Sequence, residues 1–387
     1  MTDAVAGHLD LTSPAFLAFI GYLLLVVAIG VHSSRRASAG LGEYFLAGRR
    51  LGRFQLTIAV SGTGSAGMDA MLVNLIEPGD EVLVCVNGVF GERMSDIVGR
   101  VGGVLHRLDK PWGEVFEPAE IAAELECNPK ISLVAIVHAE TSTGAHQPLE
   151  DLGALCHQRD ALLLVDAVTS LGGAELRVDD WRIDACYSGT QKCLSCPPGL
   201  APVTLGPKAV EKLERRASKV VSWYLDFSMI QSYWSEGKRA YHHTAPISMN
   251  YALHQALALV LEEGLENRWQ RHRLHSRSLM TGLEALGFEP FADQGHRLPM
   301  LNSVRLPVGL EDAAIRRELL EIYDIEIGGG LGELTGLVWR IGLMGESARR
   351  NNVLGLLTAL EEILHRTVHQ PAIGKGLEAA AGVYATT

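Results

Sequence analysis

Beyond residue 55, short β-branched and apolar runs alternate with helical stretches, and few folds accept this pattern. The runs cover residues 81–86, 132–138, 161–165 and 183–187. Helical patterns lie between and before them, for example at 67–76 and 118–125. Alternating strands and helices predict an α/β fold, in which helices cover a parallel or mostly parallel sheet.

Polar residues stand at the ends of three of these runs. Asp166 directly follows the run 161–165, residues 138–144 close the run before it, and residues 188–192 follow the run 183–187. Ligands of such sheets bind at the carboxyl ends of the strands. The sequence therefore predicts a site where these three segments meet.

The charge and the cysteine content of the chain exclude several classes of function. Its 387 residues include 34 Lys and Arg and 45 Asp and Glu, which gives a net charge of −11. A nucleic-acid-binding role is not expected, because contact with phosphates needs a basic surface. Six cysteines are too few for a disulfide scaffold, so free thiols in a reducing compartment are predicted.

The N-terminal 54 residues differ from the rest of the chain. No charged residue lies between Asp10 and Arg35, and residues 15–31 are almost wholly apolar. As a helix these 17 residues would span roughly 26 Å, slightly less than the ~30 Å hydrocarbon core of a bilayer. They can form a single-span membrane anchor, with Arg35 and Arg36 and everything after them in the cytoplasm. A buried helix is the alternative, and the sequence leaves both open.

Changes of composition divide the chain into four predicted parts. Residues 1–54 form the hydrophobic N-terminal segment and residues 55–263 a large domain. From about residue 264 the pattern becomes more helical, which predicts a smaller α+β domain at 264–366. Residues 367–387 are rich in Ala and Gly and are predicted to be a flexible tail.

Two residues at the predicted strand ends, Lys192 and Asp166, have the chemistry of a site. Lys192 has small and polar neighbours, which predict a loop, and an amine that is partly desolvated can lose its proton and attack an aldehyde. Asp166 ends an apolar strand, where a buried carboxylate needs a cation or hydrogen-bond donors. Each residue alone has a simpler interpretation: a surface charge for Lys192 and a helix N-cap for Asp166.

A glycine-rich turn, residues 61–67, precedes an apolar helix predicted at 68–76. Such a turn presents backbone N–H groups and the positive end of the helix dipole to an anion. It lacks the Lys-Ser/Thr pair of a P-loop. Gly62, Gly64 and Gly67 have the spacing of a dinucleotide motif, but no strong strand is evident before them. The sequence therefore favours a single phosphate.

Seven short motifs are specific in combination: Glu77-Pro-Gly-Asp80, Val86-Asn-Gly-Val-Phe-Gly91, Glu140-Thr-Ser-Thr-Gly144, Leu164-Val-Asp-Ala-Val168, Ser188-Gly-Thr-Gln-Lys192, Tyr241-His-His-Thr-Ala-Pro246 and Trp339-Arg-Ile-Gly342. With them, residues from about 60 to about 364 resemble the pyridoxal-phosphate aminotransferases of fold type I, in particular the alanine–glyoxylate / serine–pyruvate family of class V. The resemblance implies a large domain with a mostly parallel seven-stranded sheet, a smaller C-terminal α+β domain, bound pyridoxal 5′-phosphate and a homodimer.

The resemblance also implies an activity and a role for each matching residue. A small amino acid such as alanine or serine would give its amino group to glyoxylate or pyruvate in ping-pong order. Lys192 would bind the cofactor covalently and move the substrate's proton, Asp166 would pair with the ring nitrogen, and Arg340 would hold the substrate carboxylate. The other cofactor-binding residues would be Phe90 and Val168 on the two faces of the ring, Ser142 near its hydroxyl, Thr63, Gly64, Ser65 and Gln191 at the phosphate, and Tyr241 and Thr244 at the phosphate of the other subunit.

The remaining candidates are weaker, and no metal site is predicted. Cys193 and Cys196 have the spacing of a redox or zinc motif, but without a second pair they are better explained by packing. His242 and His243 are adjacent and should point apart, so a structural role beside Tyr241 is favoured. His138 is expected to be a hydrogen-bonded strand-end histidine.

The N-terminal segment has a resemblance of its own. Its apolar run and the following Glu43-Tyr-Phe-Leu-Ala-Gly-Arg-Arg50 are similar to the start of a sodium/solute symporter. Transport is excluded, because no second spanning segment follows residue 54. A fusion and a misjoined reading frame both explain the segment. It replaces the stretch that in the aminotransferase family wraps the partner subunit and lines the substrate pocket, so we expect the cofactor fold with reduced stability or activity.

Two other functions are weighed against the aminotransferase. A cysteine desulfurase needs a nucleophilic cysteine well beyond the lysine, but the last cysteine of the chain is Cys196. A membrane-anchored, inactive binding protein is the alternative from a different class. Membrane fractionation and a half-transamination assay separate it from an active enzyme.

Overall fold

The computed structural model describes residues 56–234 and 241–386. By its internal contacts the chain divides into two units, 1–52 and 53–387, and all the described residues lie in the second. The anchor predicted at 15–31 and the symporter-like segment therefore lie outside the described residues. Within the ranges that are described, every helix is too short or too polar to cross a membrane.

A seven-stranded, mostly parallel sheet forms the centre of the large part, as predicted. The first nine strands of the chain are β1 (Leu56–Ser61), β2 (Glu81–Val86), β3 (Val104–Asp109), β4 (Ile131–Val137), β5 (Ala139–Glu140), β6 (Ala145–His146), β7 (Leu162–Asp166), β8 (Ala185–Tyr187) and β9 (Leu200–Leu205). The sheet order is β1-β9-β8-β7-β4-β2-β3, while β5 and β6 form a separate hairpin. Only β9 pairs antiparallel within this sheet, so its other six strands run in one direction and end at one edge.

Helices cover both faces of this sheet, which explains why its central strands are apolar at most positions. They are α1 (Gly64–Leu75), α2 (Val89–Arg100), α3 (Pro118–Cys127), α4 (Leu152–His157), α5 (Pro207–Glu214) and α6 (Phe227–Trp234). The next helix, α7 (Ile247–Glu263), packs with Leu194 and Cys196. Val82 and Val84 of β2 face the core under α1, α2, α5 and α6. Leu83 and Cys85 of the same strand face the core under α3 and α4.

The second part of the described chain has its own sheet and core. Its elements are the strands β10 (Glu289–Pro290), β11 (Leu301–Arg305), β12 (Gly328–Gly329) and β13 (Val338–Gly342), and the helices α8 (Leu265–Ala285), α9 (Asp312–Tyr323), α10 (Arg350–His365) and α11 (Lys375–Ala385). The strands pair antiparallel in the order β10-β11-β13-β12. Trp339 of β13 is fully buried in a core built with α8 to α11. The predicted domain limits at 54, 263 and 366 stay predictions.

The tail that was predicted to be flexible contains helix α11, so that prediction is wrong for residues 375–385. The buried carboxylate of Glu361 in α10 explains the difference. It accepts hydrogen bonds from the backbone N–H groups of Gly374 at 2.7 Å, Gly376 at 2.6 Å and Leu377 at 3.1 Å. A carboxylate at a helix N-terminus satisfies N–H groups that the helix itself leaves unpaired. Small residues here allow close packing rather than disorder.

Two predictions about the glycine-rich turn are also wrong. Helix α1 begins at Gly64, four residues before the predicted start, with Thr63 as its N-cap. Strand β1 directly precedes the turn, although no strong strand was evident there. It is an edge strand whose residues are only in part buried, so its apolar pattern is weak. Gly64 is needed for packing, because a Cβ there would lie 2.8 Å from the methyl groups of Val168.

Candidate active site

A cavity of about 200 Å³ lies where β1, β4, β7 and β8 end. Seven of the predicted site residues line it: Gly64, Ser65, Phe90, Asp166, Val168, Gln191 and Lys192. Its other lining residues are Met68, Ala139, Thr141 and Thr169. The structure therefore brings together residues that are up to 128 positions apart, from Gly64 to Lys192.

The glycine-rich turn places the start of α1 at this cavity. The backbone N–H groups of Ala66 and Gly67 bond back to the carbonyl of Thr63, at 2.8 and 3.3 Å. The N–H groups of Gly64 and Ser65 stand in the first helical turn, where a helix supplies no partner, and both residues line the cavity. A helix N-terminus of this kind attracts an anion.

Gln191 adds an unpaired polar group to the same cavity. Its side-chain oxygen is buried and has no hydrogen-bond partner among the described residues. Buried polar groups of native proteins are normally paired, so this amide fits a ligand that supplies the missing partner.

Lys192 lies on the segment after β8, which its neighbours hold in place. Thr190 donates its hydroxyl to the carbonyls of Pro197 and Leu200, both at 3.1 Å, and Ser195 N donates to the Lys192 carbonyl at 2.9 Å. Burial lowers the pKa of the Lys192 ammonium, and the positive charge of Arg340 acts in the same direction. A lysine with a lowered pKa can lose its proton and act as a nucleophile or a base.

Asp166 is the last residue of β7 and only 3% exposed. Its carboxylate accepts hydrogen bonds from the hydroxyl of Tyr187 at 2.7 Å and from the N–H of Val168 at 2.8 Å. Burial raises its pKa to about 6, although these two hydrogen bonds and the charge of Lys192 act in the opposite direction. A protonated ring nitrogen in the cavity would offset the cost of burying this charge.

Phe90 and Ser142 meet around a buried acid, Glu140. Ser142 donates its hydroxyl to Glu140 Oε1 at 2.5 Å, and the N–H of Phe90 donates to Oε2 at 3.1 Å. The hydroxyl oxygen of Ser142 in turn accepts the N–H of Val89 at 3.0 Å. Burial raises the pKa of Glu140 to about 7, and the neighbouring Asp166 adds to this shift.

Arg340 lies beside the cavity on β13. Its Nε donates to the carbonyl of Gly329 at 2.8 Å and its Nη1 to the carbonyl of Thr141 at 3.2 Å. Burial lowers the pKa of this guanidinium. The two carbonyls hold the guanidinium plane in one orientation, as bidentate recognition of a carboxylate requires.

Tyr241 and Thr244 are not brought to the cavity of their own chain. Their hydroxyls hydrogen-bond to each other at 3.0 Å, and 76% of Tyr241 is exposed. His242 and His243 do not point apart as predicted, because their Nδ1 atoms lie 2.7 Å from each other. His243 Nε2 also contacts Ser61 Oγ at 2.7 Å, at the end of β1.

The weaker candidates Cys193, Cys196 and His138 are all buried. Cys193 and Cys196 are buried free thiols, and no group of residues in the described parts of the chain could hold a metal ion. His138 is buried at the end of β4, as expected, and contacts Ser170 Oγ at 2.9 Å and His146 Nε2 at 3.0 Å.

Among the residues of this site that sequence reasoning missed are Glu140, Tyr187 and Thr141. Glu140 and Thr141 lie in a motif whose sequence indicates no role for either residue, and Tyr187 is in sequence only the end of an apolar strand. A signal existed for Tyr187. It ends β8 beside Asp166, the last residue of β7, and neighbouring parallel strands carry such residues side by side.

The amine, the buried acid and the helix N-terminus match the parts of pyridoxal phosphate, namely an aldehyde, a basic ring nitrogen and a phosphate. With the seven-stranded sheet, they define a pyridoxal-phosphate-dependent enzyme of fold type I. Residues 52–338 match the family model "Aminotransferase class-V", and the chain belongs to this family. It is therefore a pyridoxal-phosphate-dependent aminotransferase.

Several relatives are similar over most of the chain. The (S)-ureidoglycine–glyoxylate transaminase of Bacillus subtilis is 43% identical over 344 residues, which are 84% of this chain and 82% of the relative. The crystal structure of alanine–glyoxylate aminotransferase from Nostoc sp. is 45% identical with a TM-score of 0.79, and covers 91% of this chain and 88% of its own. The pyridoxamine–pyruvate aminotransferase of Mesorhizobium loti is 29% identical with a TM-score of 0.82, covering 98% of this chain and 92% of its own.

Proposed function

We propose that this aminotransferase moves an amino group from a small amino acid, alanine or serine, to glyoxylate or pyruvate. The observation that carries the proposal is a small cavity that contains Lys192 and Asp166 and has the oriented guanidinium of Arg340 beside it. Relatives named for glyoxylate or pyruvate as the acceptor support it. The Bacillus subtilis relative favours (S)-ureidoglycine as a second candidate donor.

Lys192 and Asp166 carry the chemistry in this proposal. Pyridoxal phosphate, when bound, supplies an electron sink for the charge that develops at the substrate Cα. Lys192 Nζ would hold the cofactor at its aldehyde carbon until the amine of the substrate takes its place there. The freed Lys192 amine would then move the proton from the substrate Cα to that cofactor carbon. The Asp166 carboxylate keeps the ring nitrogen protonated through its negative charge.

The other predicted site residues bind and orient. Arg340 holds the substrate carboxylate, so that the Cα–H bond faces Lys192. The remaining assignments are those that the family resemblance implies. Phe90 and Val168 would lie against the ring and Gly64, Ser65 and Gln191 at the phosphate, and these five residues line the cavity. Ser142 at the ring hydroxyl and Thr63 at the phosphate are neighbours in sequence of lining residues and do not line the cavity themselves.

A homodimer completes the phosphate site in this proposal. Tyr241 and Thr244 are exposed and lie away from their own cavity, which fits hydroxyls that serve the partner subunit. Mixing a Lys192→Ala chain with a Tyr241→Phe/Thr244→Val chain should restore activity, because one site of the hybrid dimer then has all its residues. No restoration in hybrids that demonstrably form would contradict the shared site.

The symporter-like origin of residues 1–54 and a cytoplasmic catalytic domain anchored through 15–31 remain proposals. The family match begins at residue 52, beside the change of composition at residue 54. Fractionation of cells that express the full chain, with a variant deleted for 15–31 as control, tests the anchor. Equal recovery of both proteins in the soluble fraction would contradict it.

Borohydride trapping with donor profiling tests the proposed reaction. The full chain is loaded with pyridoxal phosphate, reduced and digested, and the label should be found on the peptide that contains Lys192. Half-reactions with alanine, serine and (S)-ureidoglycine, followed by glyoxylate or pyruvate, then identify the donor and the acceptor. A label on another peptide would refute the role of Lys192, and no turnover with any of these pairs would refute the substrate class.

A further inference from the structure

Glu140 is the buried acid of the site for which the proposed reaction has no role. It is 0% exposed and does not line the cavity, although Ala139 and Thr141 on either side of it do. Its carboxylate accepts three hydrogen bonds, from Phe90 N at 3.1 Å, Ser142 N at 3.0 Å and Ser142 Oγ at 2.5 Å. Both partners are residues proposed to contact the cofactor ring.

The packing around this carboxylate leaves it little room to move. A Cβ at Gly88 would lie 2.4 Å from Glu140 Cδ and 2.5 Å from Ser142 Oγ, so residue 88 must lack a side chain. Gly88 is also the N-cap of α2, whose first turn contains Phe90. The carboxylate therefore fixes the start of α2 against the β5–β6 hairpin.

The charges near Glu140 belong to the same site. Burial raises the pKa of Glu140, and the charge of Asp166 adds to this shift. Burial also raises the pKa of Tyr187 and lowers that of Arg340, and the charge of Glu140 adds to the first of these shifts and opposes the second. Removing this carboxylate should therefore affect the cavity and not only the fold.

We propose that Glu140 is a positioning residue that holds the Phe90 ring and the Ser142 hydroxyl in one arrangement against the cofactor. This rests on the proposed roles of Phe90 and Ser142. Glu140 acts through them, since a carboxylate oxygen bonded to each residue fixes their separation.

Glu140→Gln is the first variant for the test, because it keeps the size of the side chain. A glutamine has one acceptor oxygen, so it cannot serve both Phe90 and Ser142, and one of their donors loses its partner. The matched control is Glu361→Gln. Glu361 is another buried carboxylate with three hydrogen bonds, but it lies on α10 and its donors are backbone N–H groups at the start of α11. Gly88→Ala is a second variant, which displaces the same carboxylate and keeps its charge.

The readouts are the affinity of the cofactor-free protein for pyridoxal phosphate, the visible circular dichroism of the bound cofactor, and the melting temperature. Glu140→Gln and Gly88→Ala should each bind the cofactor about tenfold more weakly, the effect of one lost hydrogen bond to a charged group. Both should also change the visible dichroism. Glu361→Gln should lower the melting temperature and leave both cofactor readouts unchanged.

A double-mutant cycle separates positioning from a general effect on the fold. If Glu140 acts through Ser142, the loss of affinity in Glu140→Gln/Ser142→Ala should be smaller than the product of the two single losses. Wild-type affinity and dichroism in Glu140→Gln and Gly88→Ala, or a product of independent losses, would overturn the proposal. A failure of the proposed ring contacts themselves can be recognised separately. In that case the single variants Phe90→Leu and Ser142→Ala would bind the cofactor as the wild type does.

Discussion

Replacing Arg340 by glutamine should remove most recognition of the substrate carboxylate. The guanidinium is held by the carbonyls of Gly329 and Thr141 in the orientation that a bidentate carboxylate contact needs. Two hydrogen bonds between charged groups at about 1.5 kcal/mol each give a loss of about 3 kcal/mol. This corresponds to a decrease in kcat/KM on the order of 100-fold.

Arg340→Lys provides the graded comparison. An ammonium keeps the positive charge, but it cannot bond to both carbonyls and still meet a carboxylate in a plane. We expect a decrease of about tenfold, between the wild type and the glutamine variant. The assay is the single-turnover half-reaction of the cofactor-loaded enzyme with alanine. Its rate is measured from the change in absorbance of the cofactor.

A substrate without a carboxylate provides the control for this assay. Ethylamine, tested under the same conditions, should lose little rate in either variant, because it has no group for Arg340 to bind. Equal losses for alanine and ethylamine would refute the carboxylate contact and assign Arg340 a structural role.

The same variant should also change the titration of Lys192. The positive charge of Arg340 lowers the pKa of this lysine, so Arg340→Gln should raise it. Because capture of the aldehyde needs the unprotonated amine, the variant should require a higher pH for its half-maximal rate of cofactor binding. A shift to lower pH would contradict this reasoning.

Three further predictions concern other buried groups. Burial raises the pKa of Asp166 from 3.8 to about 6, so the cofactor-free protein should lose about 3 kcal/mol of stability as the pH rises from about 4 through 6. Urea unfolding at several pH values should show that Asp166→Asn lacks this decrease, and an identical pH dependence in both proteins would refute it. Glu361→Gln should lower the free energy of unfolding by about 1.5–3 kcal/mol and expose α11 to carboxypeptidase, whereas a protected tail would contradict the capping role. Among the six cysteines, Cys127 is exposed, while burial raises the pKa of Cys156 to about 12 and of Cys196 to about 11. Ellman's reagent should therefore titrate one fast thiol in the native protein, and more than one would contradict the burial of the others.

The sheet and the meeting of Lys192 and Asp166 at one cavity could be predicted because their signals are local. The strands of a sheet covered on both faces are continuous apolar runs, and the residues that follow such runs reach one edge. This logic placed Lys192 and Asp166 correctly at one cavity. It failed for β1, because an edge strand is less buried and has a weaker pattern. It also failed for the start of α1, where glycine disfavours a helix by intrinsic propensity but is required by the contact with Val168.

Residues that act through burial left no comparable signal. Glu140 is polar and lies in a motif of small polar residues, so its sequence context predicts an exposed turn rather than a carboxylate with 0% exposure. Its partners Phe90 and Ser142 lie 50 and 2 positions away, and only the packing of α2 against the β5–β6 hairpin brings all three together. The helix α11 is a similar case, because its N-terminal partner Glu361 lies on α10.

The two acids of the site, Asp166 and Glu140, differ in the same way in how far the sequence reveals them. Asp166 ends an apolar run that the sequence shows. Its carboxylate accepts hydrogen bonds from the Tyr187 hydroxyl, at the end of the neighbouring strand β8, and from the N–H of Val168, two positions further along the chain. Glu140 receives one of its donors from helix α2 and the other two from Ser142. Burial raises its pKa to about 7, and the charge of Asp166 adds to this shift. A single protonated ring nitrogen beside Asp166 would therefore lower the cost of charging both carboxylates. Binding of the cofactor should make the whole cavity more rigid than contacts at the ring alone would explain, and hydrogen exchange at Phe90 and Ser142 should slow when pyridoxal phosphate binds.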